Sequence, residues 1–216
     1  MKFIYNKFDK SEINALPIVL FPGRIVVVIS AVEAKKAVNY LLSHPVLGFD
    51  TETRPSFRKG VTHNVALLQV STKDICFLFR LNIIGMTPDI IRLLEDTTVL
   101  KVGLSLHDDI LMLHKLANFV PGNFVDLQKH VCEIGIEDKS LQKLYANMFH
   151  QKISKGQRLT NWEADVLNDK QKLYAATDAW ACIMLYEELQ HLKNNGDFEL
   201  IRVGNVNNIE NSDVQL

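Results

Sequence analysis

The chain has 216 residues, a length that suits one domain with a full hydrophobic core. Its 24 lysines and arginines nearly balance 25 aspartates and glutamates, so overall charge alone does not hold the protein on nucleic acid, and an anionic partner needs a local basic patch. The sequence lacks a signal-peptide core and any apolar run of the ~18 residues that a membrane helix requires, so we expect a cytoplasmic protein with no membrane partner.

The first half of the chain alternates short apolar runs with turns. After a lead-in over residues 1–23, four strand-like runs follow, "GRIVVVIS", "VLGFDTET", "VALLQVS" and "ICFLFRL". Ser30 is placed to cap the helix after the first run, Thr87 and Pro88 open another helix, and the short strand "VLKVG" leads to a third. Alternating strands and helices predict an α/β domain with a mixed β-sheet flanked by helices.

Beyond Asp126 the pattern is mostly helical, and the longest helix is predicted over "NDKQKLYAATDAWACIMLYEELQHLKN". We expect the domain to span residues 24–193 and a polar C-terminal tail to follow over residues 194–216, because its asparagine-rich end has little to bury. Cys76, Cys132 and Cys182 each lie in an apolar segment and are predicted to be reduced core thiols.

Two carboxylates lie two residues apart at the end of the "VLGFDTET" strand. Alternate residues of a strand share a face, so Asp50 and Glu52 point one way while Phe49 and Thr51 point the other. Two acids on one face of a dry site repel each other and need a cation, a proton or access to solvent. From this stretch alone, a metal site and a pair of solvated turn residues both stay open.

A further acid lies in "KVGLSLHDDILMLHKLA", a strand, a glycine turn and a helix. Helical periodicity defines a buried stripe of Leu106, Ile110, Leu113, Leu116 and Ala117. Asp109 falls at the edge of this stripe, whereas Asp108 lies on the opposite side, where an acid of the first turn simply complements the helix dipole. We therefore expect Asp109 to face the protein interior.

In "LYAATDAW", Tyr174 and Asp178 are four residues apart and so are neighbours on one helix face. This arrangement suits a polar pocket and equally a core tyrosine hydrogen-bonded to an aspartate. Carboxylates are the ligands that Mg²⁺ and Mn²⁺ prefer, and two such ions about 3.5 to 4 Å apart can bind the attacking and leaving oxygens of a phosphoryl transfer. Four acids from one strand and two helices can bind such a pair.

Three segments, taken in order, resemble a known family. "FDTET", "VGLSLHDDILML" and "YAATDA" are similar to the three exonuclease motifs of the DEDD superfamily, tyrosine subclass, which includes ribonuclease D and the Werner syndrome helicase exonuclease domain. The second motif of that family places its aspartate six residues after the first glycine, which from Gly103 selects Asp109. The flanks "RPSFRKG", "VALLQVS" and "LTNWEADVLNDKQKLYAATDA" also resemble the Werner-type domain, so the likeness spans about residues 24–189.

The resemblance implies a ribonuclease H-like α/β fold and hydrolysis of a nucleic-acid strand from its 3′ end, with two divalent ions, Mg²⁺ or Mn²⁺, as cofactors. It implies that Asp50 bridges both ions and that Glu52 and Asp178 bind the ion that activates water. It also implies that Asp109 holds the second ion largely through water and that Tyr174 orients the attacking water. The expected partner is a single-stranded 3′ end, with DNA slightly favoured over RNA, and no protein partner is inferred.

Binding of a nucleic-acid backbone requires positive charge near its phosphates. Two loop clusters supply it, Arg54, Arg58 and Lys59 after the first motif and Lys152, Lys155 and Arg158 before the third. Each of these residues is equally consistent with a solvated charge run. Phe57 is placed either to stack on a terminal base or to cover the core, and His107, beside the second motif, is given no role.

Two other functions are consistent with parts of the sequence. "DTET" also resembles the motif of haloacid-dehalogenase-like phosphatases, in which Asp50 would attack phosphorus itself, but Glu52 replaces the second aspartate and Tyr174 is then unexplained. The other alternative is a catalytically inactive nucleic-acid-binding module of the same fold. Inactive copies usually lose at least one metal ligand, whereas this chain has all four acids and the tyrosine.

Overall fold

The computed structural model describes residues 1–204, and this part of the chain contains eight strands and eight helices. The strands are β1 (Lys2–Tyr5), β2 (Arg24–Val28), β3 (Val46–Thr53), β4 (Val65–Ser71), β5 (Ile75–Phe79), β6 (Leu100–Gly103), β7 (Phe124–Asp126) and β8 (Phe198–Ile201). The helices are α1 (Lys10–Ile13), α2 (Ala31–Leu41), α3 (Leu81–Ile84), α4 (Pro88–Glu95), α5 (Leu106–His114), α6 (Leu127–Glu133), α7 (Leu141–Phe149) and α8 (Asp169–Asn195). No helix within residues 1–204 is both long and apolar enough to cross a membrane.

Strands β2 to β7 form one sheet in the order β2-β5-β4-β3-β6-β7. Strand β4 runs antiparallel to both β3 and β5, whereas the β2–β5, β3–β6 and β6–β7 pairs are parallel. The predicted mixed sheet is therefore confirmed. Strand β3 lies inside the sheet, between β4 and β6, and it contacts helices α8 and α5.

The sheet separates two hydrophobic cores. On one face α8 crosses β3, β4, β5 and β6, and its Trp180 packs in one cluster with Leu78 of β5. On the other face α2, α4 and α5 cover the sheet, where Leu113 of α5 clusters with Phe49 of β3. Phe49 thus occupies the face away from α8, and Asp50, the next residue, points to the α8 face, as the strand alternation predicts.

Local sequence explains where the main helices begin. Ser30 and Thr87 each accept a hydrogen bond from the backbone N–H of the third helical residue, at 3.3 Å in both cases, so both predicted caps are confirmed. Helix α8 begins with a capping box in which the Asn168 and Gln171 side chains accept reciprocally from each other's backbone N–H at 2.9 and 3.1 Å. This box fixes the first turn of the helix that carries Asp178.

The lead-in and the start of the predicted tail form a separate two-stranded sheet. Strands β1 and β8 pair in parallel, with Lys2 opposite Phe198 and Ile4 opposite Leu200, and Ile4 is fully buried. The sequence analysis assigns these segments to a lead-in and a polar tail, and so predicts neither strand. Residues 205–216, which make up most of the predicted polar tail, lie outside the described residues.

Two of the three cysteines are core thiols as predicted, because Cys76 and Cys182 are buried. Cys132 is exposed, so its prediction as a core thiol is wrong. Its neighbour Val131 points into the core from the inner side of α6, which leaves Cys132 on the outer side with its thiol donating to the Gln128 carbonyl at 3.3 Å. An apolar segment predicts that a helix is partly buried, but the face of each residue depends on how the helix packs.

Candidate active site

Strand β3 and helix α8 approach each other closely at Gly48. A Cβ atom at Gly48 would lie 1.9 Å from the backbone oxygen of Ala179, so only glycine fits at this crossing. Asp50 and Glu52 follow Gly48 on the same face of β3, and Asp178 precedes Ala179 on α8. The close crossing therefore brings the strand acids and the helix acid together.

Three carboxylates form the centre of this site. Asp50, Glu52 and Asp178 each present an oxygen within 4.8 Å of the other two. Glu52 is 8% exposed, Asp178 is 6% exposed, and Asp50 is half-buried. The structure thus brings together three of the four predicted metal ligands.

Burial and mutual repulsion disfavour the charged forms of these acids. Burial raises the pKa of Asp50 well above its ordinary value, and the charges of the three other acids raise it further. Burial raises the pKa of Glu52 to about 9, with Asp178 and Asp109 adding to the effect, and burial raises that of Asp178 to about 7. Such a cluster favours a bound cation or protons over free carboxylates.

Asp109 reaches the site from the opposite face of β3. The Thr51 hydroxyl, which points to α5, donates a hydrogen bond to the Asp109 carboxylate. Asp109 lies outside the close group of three, yet its charge raises the pKa of both Asp50 and Glu52, and burial raises its own pKa to about 6. Asp108 is exposed on the outer side of α5, as the helical periodicity predicts.

The first turn of α5 depends on Asp126, which the three motifs leave without a role. Ser105 has a left-handed backbone with φ of 63°, and the backbone N–H groups of Ser105 and Leu106 both donate to the Asp126 carboxylate at 3.1 Å. The same carboxylate accepts from Gln128 N–H at 2.9 Å and so also caps α6. Asp126 therefore holds the turn that sets the position of Asp109.

Tyr174 lies one helical turn before Asp178, with its ring centroid 6.0 Å from that of the buried Trp162. Burial raises the pKa of Tyr174, and the charges of Asp178 and Glu52 raise it further, so the hydroxyl stays protonated. Its interaction with Asp178 lowers the pKa of that carboxyl, against the larger effect of burial. The hydroxyl can therefore donate a hydrogen bond inside the acidic site.

Two of the predicted phosphate-binding residues lie near the acids. The charge of Lys155 lowers the pKa of Asp178, and the charge of Arg158 lowers the pKa of Glu52, in each case against the larger effect of burial. Both cations are exposed. Their positive charges therefore partly offset the repulsion among the acids.

Of the other side chains predicted to contact substrate, some are already bound to other parts of the protein and some are exposed. Arg54 forms an ion pair with Glu163 at 3.1 Å, and the Lys152 ammonium donates to the backbone carbonyl of Asn14. The loop between β3 and β4 leaves exposed Phe57, Arg58 and Lys59. Because Phe57 is 83% exposed, the alternative that its ring covers the core is wrong.

Comparison with known sequences identifies the family to which this fold and acidic site belong. The sequence model of a 3′-5′ exonuclease family matches residues 25–193, so the chain belongs to the 3′-5′ exonuclease family. The resemblance drawn from the motifs is confirmed. Membership of this family also removes the haloacid-dehalogenase interpretation of "DTET".

Several proteins from animals and plants are similar to the chain. It is 32% identical over 190 residues to the mouse bifunctional 3′-5′ exonuclease/ATP-dependent helicase WRN, an alignment that covers 82% of the chain and 13% of the mouse protein. It is 34% identical over 181 residues to exonuclease 3′-5′ domain-containing protein 2 of Drosophila melanogaster, and this alignment covers 79% of the chain and 31% of the fly protein. A 3′-5′ exonuclease of Arabidopsis thaliana is 31% identical over 206 residues, in an alignment that covers 87% of the chain and 72% of the plant protein. The chain thus spans under a third of the first two relatives.

Solved structures share the fold at low sequence identity. The EXO domain of Aedes aegypti Nibbler superposes with a TM-score of 0.73 at 19% identity, covering 89% of this chain and 93% of that domain. Escherichia coli RNase D gives a TM-score of 0.69 at 16% identity, covering 79% of this chain and 46% of that protein. These likenesses confirm the predicted ribonuclease H-like fold.

Proposed function

We propose that the protein is a 3′-5′ exonuclease that hydrolyses the phosphodiester bonds of a nucleic-acid strand from its 3′ end with two bound divalent ions. The observation that carries the proposal is the group of three largely buried carboxylates, with Asp109 beside it. Buried acids at this distance are costly unless a cation compensates their charge. Family membership supplies the reaction type that such a site serves.

The side chains of the site fit Mg²⁺ or Mn²⁺. All the candidate ligands are carboxylate oxygens, which these hard cations prefer over nitrogen or sulfur. One buried oxygen of Asp178 has no hydrogen-bond partner among the described residues, as expected of an atom that serves as a metal ligand. When bound, two such ions lower the pKa of a coordinated water and stabilise the charge of the leaving oxygen.

Each residue of the site then has a distinct task. The charges of the three other acids all raise the pKa of Asp50, and Asp50 would contribute to holding both ions. Glu52 and Asp178 would hold the ion that activates water, and Asp109 would hold the other, largely through water. Tyr174 keeps its proton and orients the attacking water by a hydrogen bond.

The phosphates of the substrate need cations outside the acidic centre. Lys155 and Arg158 carry this role most directly, because they interact with Asp178 and Glu52. The exposed side chains on the β3–β4 loop that would contact the rest of the terminal nucleotides are Phe57, Arg58 and Lys59. Arg54 can join them only by leaving its ion pair with Glu163.

The proposed substrate is a single-stranded 3′ end, with DNA slightly favoured over RNA. Relatives point to both polymers, since a DNA polymerase I of Aquifex aeolicus and a ribonuclease D of Haemophilus influenzae are both similar to the chain. A Trypanosoma brucei RNase D of the same fold was solved in complex with RNA U12. The test of function must therefore include both polymers.

The proposal is tested by incubating the protein with 5′-labelled single-stranded DNA, recessed-end duplex DNA and single-stranded RNA, in Mg²⁺, Mn²⁺ or chelator. We expect a ladder that shortens from the 3′ end, requires metal and disappears in Asp50→Asn. Relative rates on the three substrates then establish the preference. Binding without any ladder would instead support the inactive nucleic-acid-binding module.

Neighbouring acids on α5 provide a matched control. Asp109→Asn should reduce hydrolysis by ~10²-fold or more, because it removes a proposed metal ligand. Asp108→Asn makes the same chemical change at an exposed position one residue away and should stay within about twofold of wild type. The reverse order of effects would show that Asp109 is not the ligand.

A further inference from the structure

A basic cavity opens on the surface at Lys155, in the segment that precedes the third motif. Its volume is about 450 Å³, and the side chains that line it are Lys10, Lys139, Ser140, Gln142, Lys143 and Lys155. Four of these six are lysines and none is an acid. A concentration of positive charge of this kind attracts an anion with several negative groups.

Lys155 connects the cavity to the acidic centre. It lines the cavity and also interacts with Asp178, whose pKa it lowers. Burial lowers the pKa of Lys155, and the positive charges of Arg158 and Lys10 lower it further. Lys155 is therefore the residue that the cavity shares with the basic cluster that precedes the third motif.

The lysines of the cavity differ in their availability. Lys143 is paired with Asp138 at 2.7 Å, and Asp138 also accepts from the Phe8 backbone N–H at 2.6 Å, so Lys143 belongs to the cavity wall. Lys10 and Lys139 are exposed, and within residues 1–204 neither ammonium has a hydrogen-bond or ion-pair partner. These two side chains are free to bind an external anion.

Hydrogen bonds connect the wall of the cavity to the start of α5, the helix that carries Asp109. The Gln128 side chain donates to the Lys139 carbonyl at 2.9 Å and contacts the Ser105 hydroxyl at 2.5 Å, just before α5. Ser140 caps α7, whose first-turn N–H groups add partial positive charge to the same wall. The Gln128 side chain therefore fixes the position of Lys139 in the cavity wall relative to the start of α5.

We propose that this cavity binds the sugar-phosphate backbone of the substrate strand on the 5′ side of the bond that is cleaved. The inference rests on the proposed exonuclease function and names the part of the substrate that the cavity takes. Backbone phosphates are common to DNA and RNA and supply most of the sequence-independent affinity for a strand. A strand whose 3′ end lies at the acids follows the lysines from Lys155 to Lys10 and Lys139.

The test compares wild type with Lys10→Ala/Lys139→Ala on 12-nucleotide strands of DNA and of RNA and on a dinucleotide. Binding is measured in the Asp50→Asn background at several salt concentrations, and hydrolysis in the native background. For the 12-mers we expect KM to rise by roughly tenfold with kcat nearly constant. The slope of log affinity against log salt should fall by about 1.4, since each lost contact to a single strand contributes about 0.7.

The dinucleotide carries only the phosphate that is cleaved, so its KM should rise much less than that of the 12-mers. A similar loss on both polymers supports contact with the shared backbone, and a loss on one polymer identifies that polymer as the bound strand. The control variant Lys35→Ala/Lys115→Ala removes two exposed lysines that do not line the cavity and should retain the wild-type salt slope.

Three results would overturn the inference, and they are distinguishable. If wild type hydrolyses the strands while Lys10→Ala/Lys139→Ala keeps the wild-type KM and salt slope, the cavity does not contact the substrate and the exonuclease function stands. If wild type neither binds nor hydrolyses any strand, the exonuclease proposal and the cavity proposal both fail. Equal losses on the dinucleotide and the 12-mers would also reject a contact upstream of the cleaved bond.

Discussion

Tyr174 has a hydroxyl that its surroundings keep protonated. The acids that raise its pKa are the ones proposed to bind metal, so it can donate only toward negative groups or toward a water among them. Its ring packs near Trp162, a contact that does not involve the hydroxyl. Removal of the oxygen atom therefore separates the chemical role of Tyr174 from its packing role.

Tyr174→Phe should fold normally and lose hydrolysis by ~10²-fold, the usual contribution of a group that positions a proton donor or acceptor. The melting temperature and the stabilisation by added metal should stay close to wild type, because no ligand is removed. Single-turnover rates and thermal unfolding measure the two effects. Tyr186→Phe makes the same change further along α8 and should leave the rate unchanged; wild-type kinetics for Tyr174→Phe would exclude it from the mechanism.

At the scale of single residues, periodicity predicts much of the site. Strand alternation predicts that Asp50 and Glu52 share a face, and helical spacing distinguishes Asp109 from Asp108. The contributions of Thr51 and Asp126 are not predictable in this way. Thr51 contacts Asp109 only because α5 packs on the far face of β3, and Asp126, a recognisable helix cap, reaches α5 only because β7 pairs with β6.

Among the larger elements, the crossing of β3 and α8 determines the geometry of the acidic site. Gly48 allows the helix backbone to lie directly against the strand, and the distance between the two backbones fixes how far Asp178 is from Asp50. A side chain at Gly48 must push α8 outward. The same residue therefore controls both packing and the separation of the proposed ligands.

Gly48→Ala should destabilise the protein by about 1–3 kcal/mol, the usual cost of an extra methyl group in a packed interior. It should also weaken Mg²⁺ binding by at least ~10-fold, because Asp178 moves away from the strand acids. Urea unfolding measures the stability, and calorimetric titration with metal measures the affinity.

Gly204→Ala is the matched control, since a Cβ at Gly204 meets nothing within 4 Å. That variant should match wild type in both measurements. If Gly48→Ala binds metal as tightly as wild type, the close crossing does not set the ligand distance, whatever the change in stability.

Most elements of the main sheet and its helices follow from the sequence, because their caps and apolar runs are long enough to recognise. The "VLGFDTET" and "VALLQVS" runs agree with β3 and β4 residue for residue, and α4 begins at the predicted proline. Strands β1, β7 and β8, with four, three and four residues, escape prediction. Such short strands form because a partner strand is already in place, which is tertiary information.

For the whole molecule, the acidic site makes stability depend on pH. In the native state the pKa of Glu52 is about 9 against an ordinary 4.5, and those of Asp178 and Asp109 are about 7 and about 6 against 3.8. Without metal, the native protein therefore binds protons that the unfolded chain has already released. Stability must fall as pH rises through this window, because the native state binds the larger number of protons.

We expect metal-free protein to lose on the order of 5 kcal/mol of unfolding free energy between about pH 5.5 and 7.5. Above this range Lys101 has the opposite effect: burial lowers its pKa to about 8, so its contribution to stability rises with pH. Millimolar Mg²⁺ should restore stability, and more strongly at pH 7.5 than at 5.5, because the acids must release protons to bind metal. Urea unfolding with chelator or Mg²⁺ at three pH values tests this.

Glu52→Gln should flatten the pH dependence and reduce the effect of Mg²⁺, because it removes an acid whose pKa burial raises to about 9 and also removes one proposed ligand. Asp108→Asn should follow wild type in both respects. A metal-free wild-type protein whose stability is constant from about pH 5.5 to 7.5, with no gain from Mg²⁺, would contradict a cation site in the acidic cluster.

The pairing of β1 with β8 has a consequence for the size of the folding unit. Segments on both sides of the family match, residues 25–193, meet in this small sheet, and the leading segment buries Phe8 and Ile13 with Ala146 of α7. A fragment trimmed to the matched region would leave that surface of α7 open to water and would lack Lys10. We therefore expect a fragment limited to residues 25–193 to be less stable than the chain that includes β1 and β8.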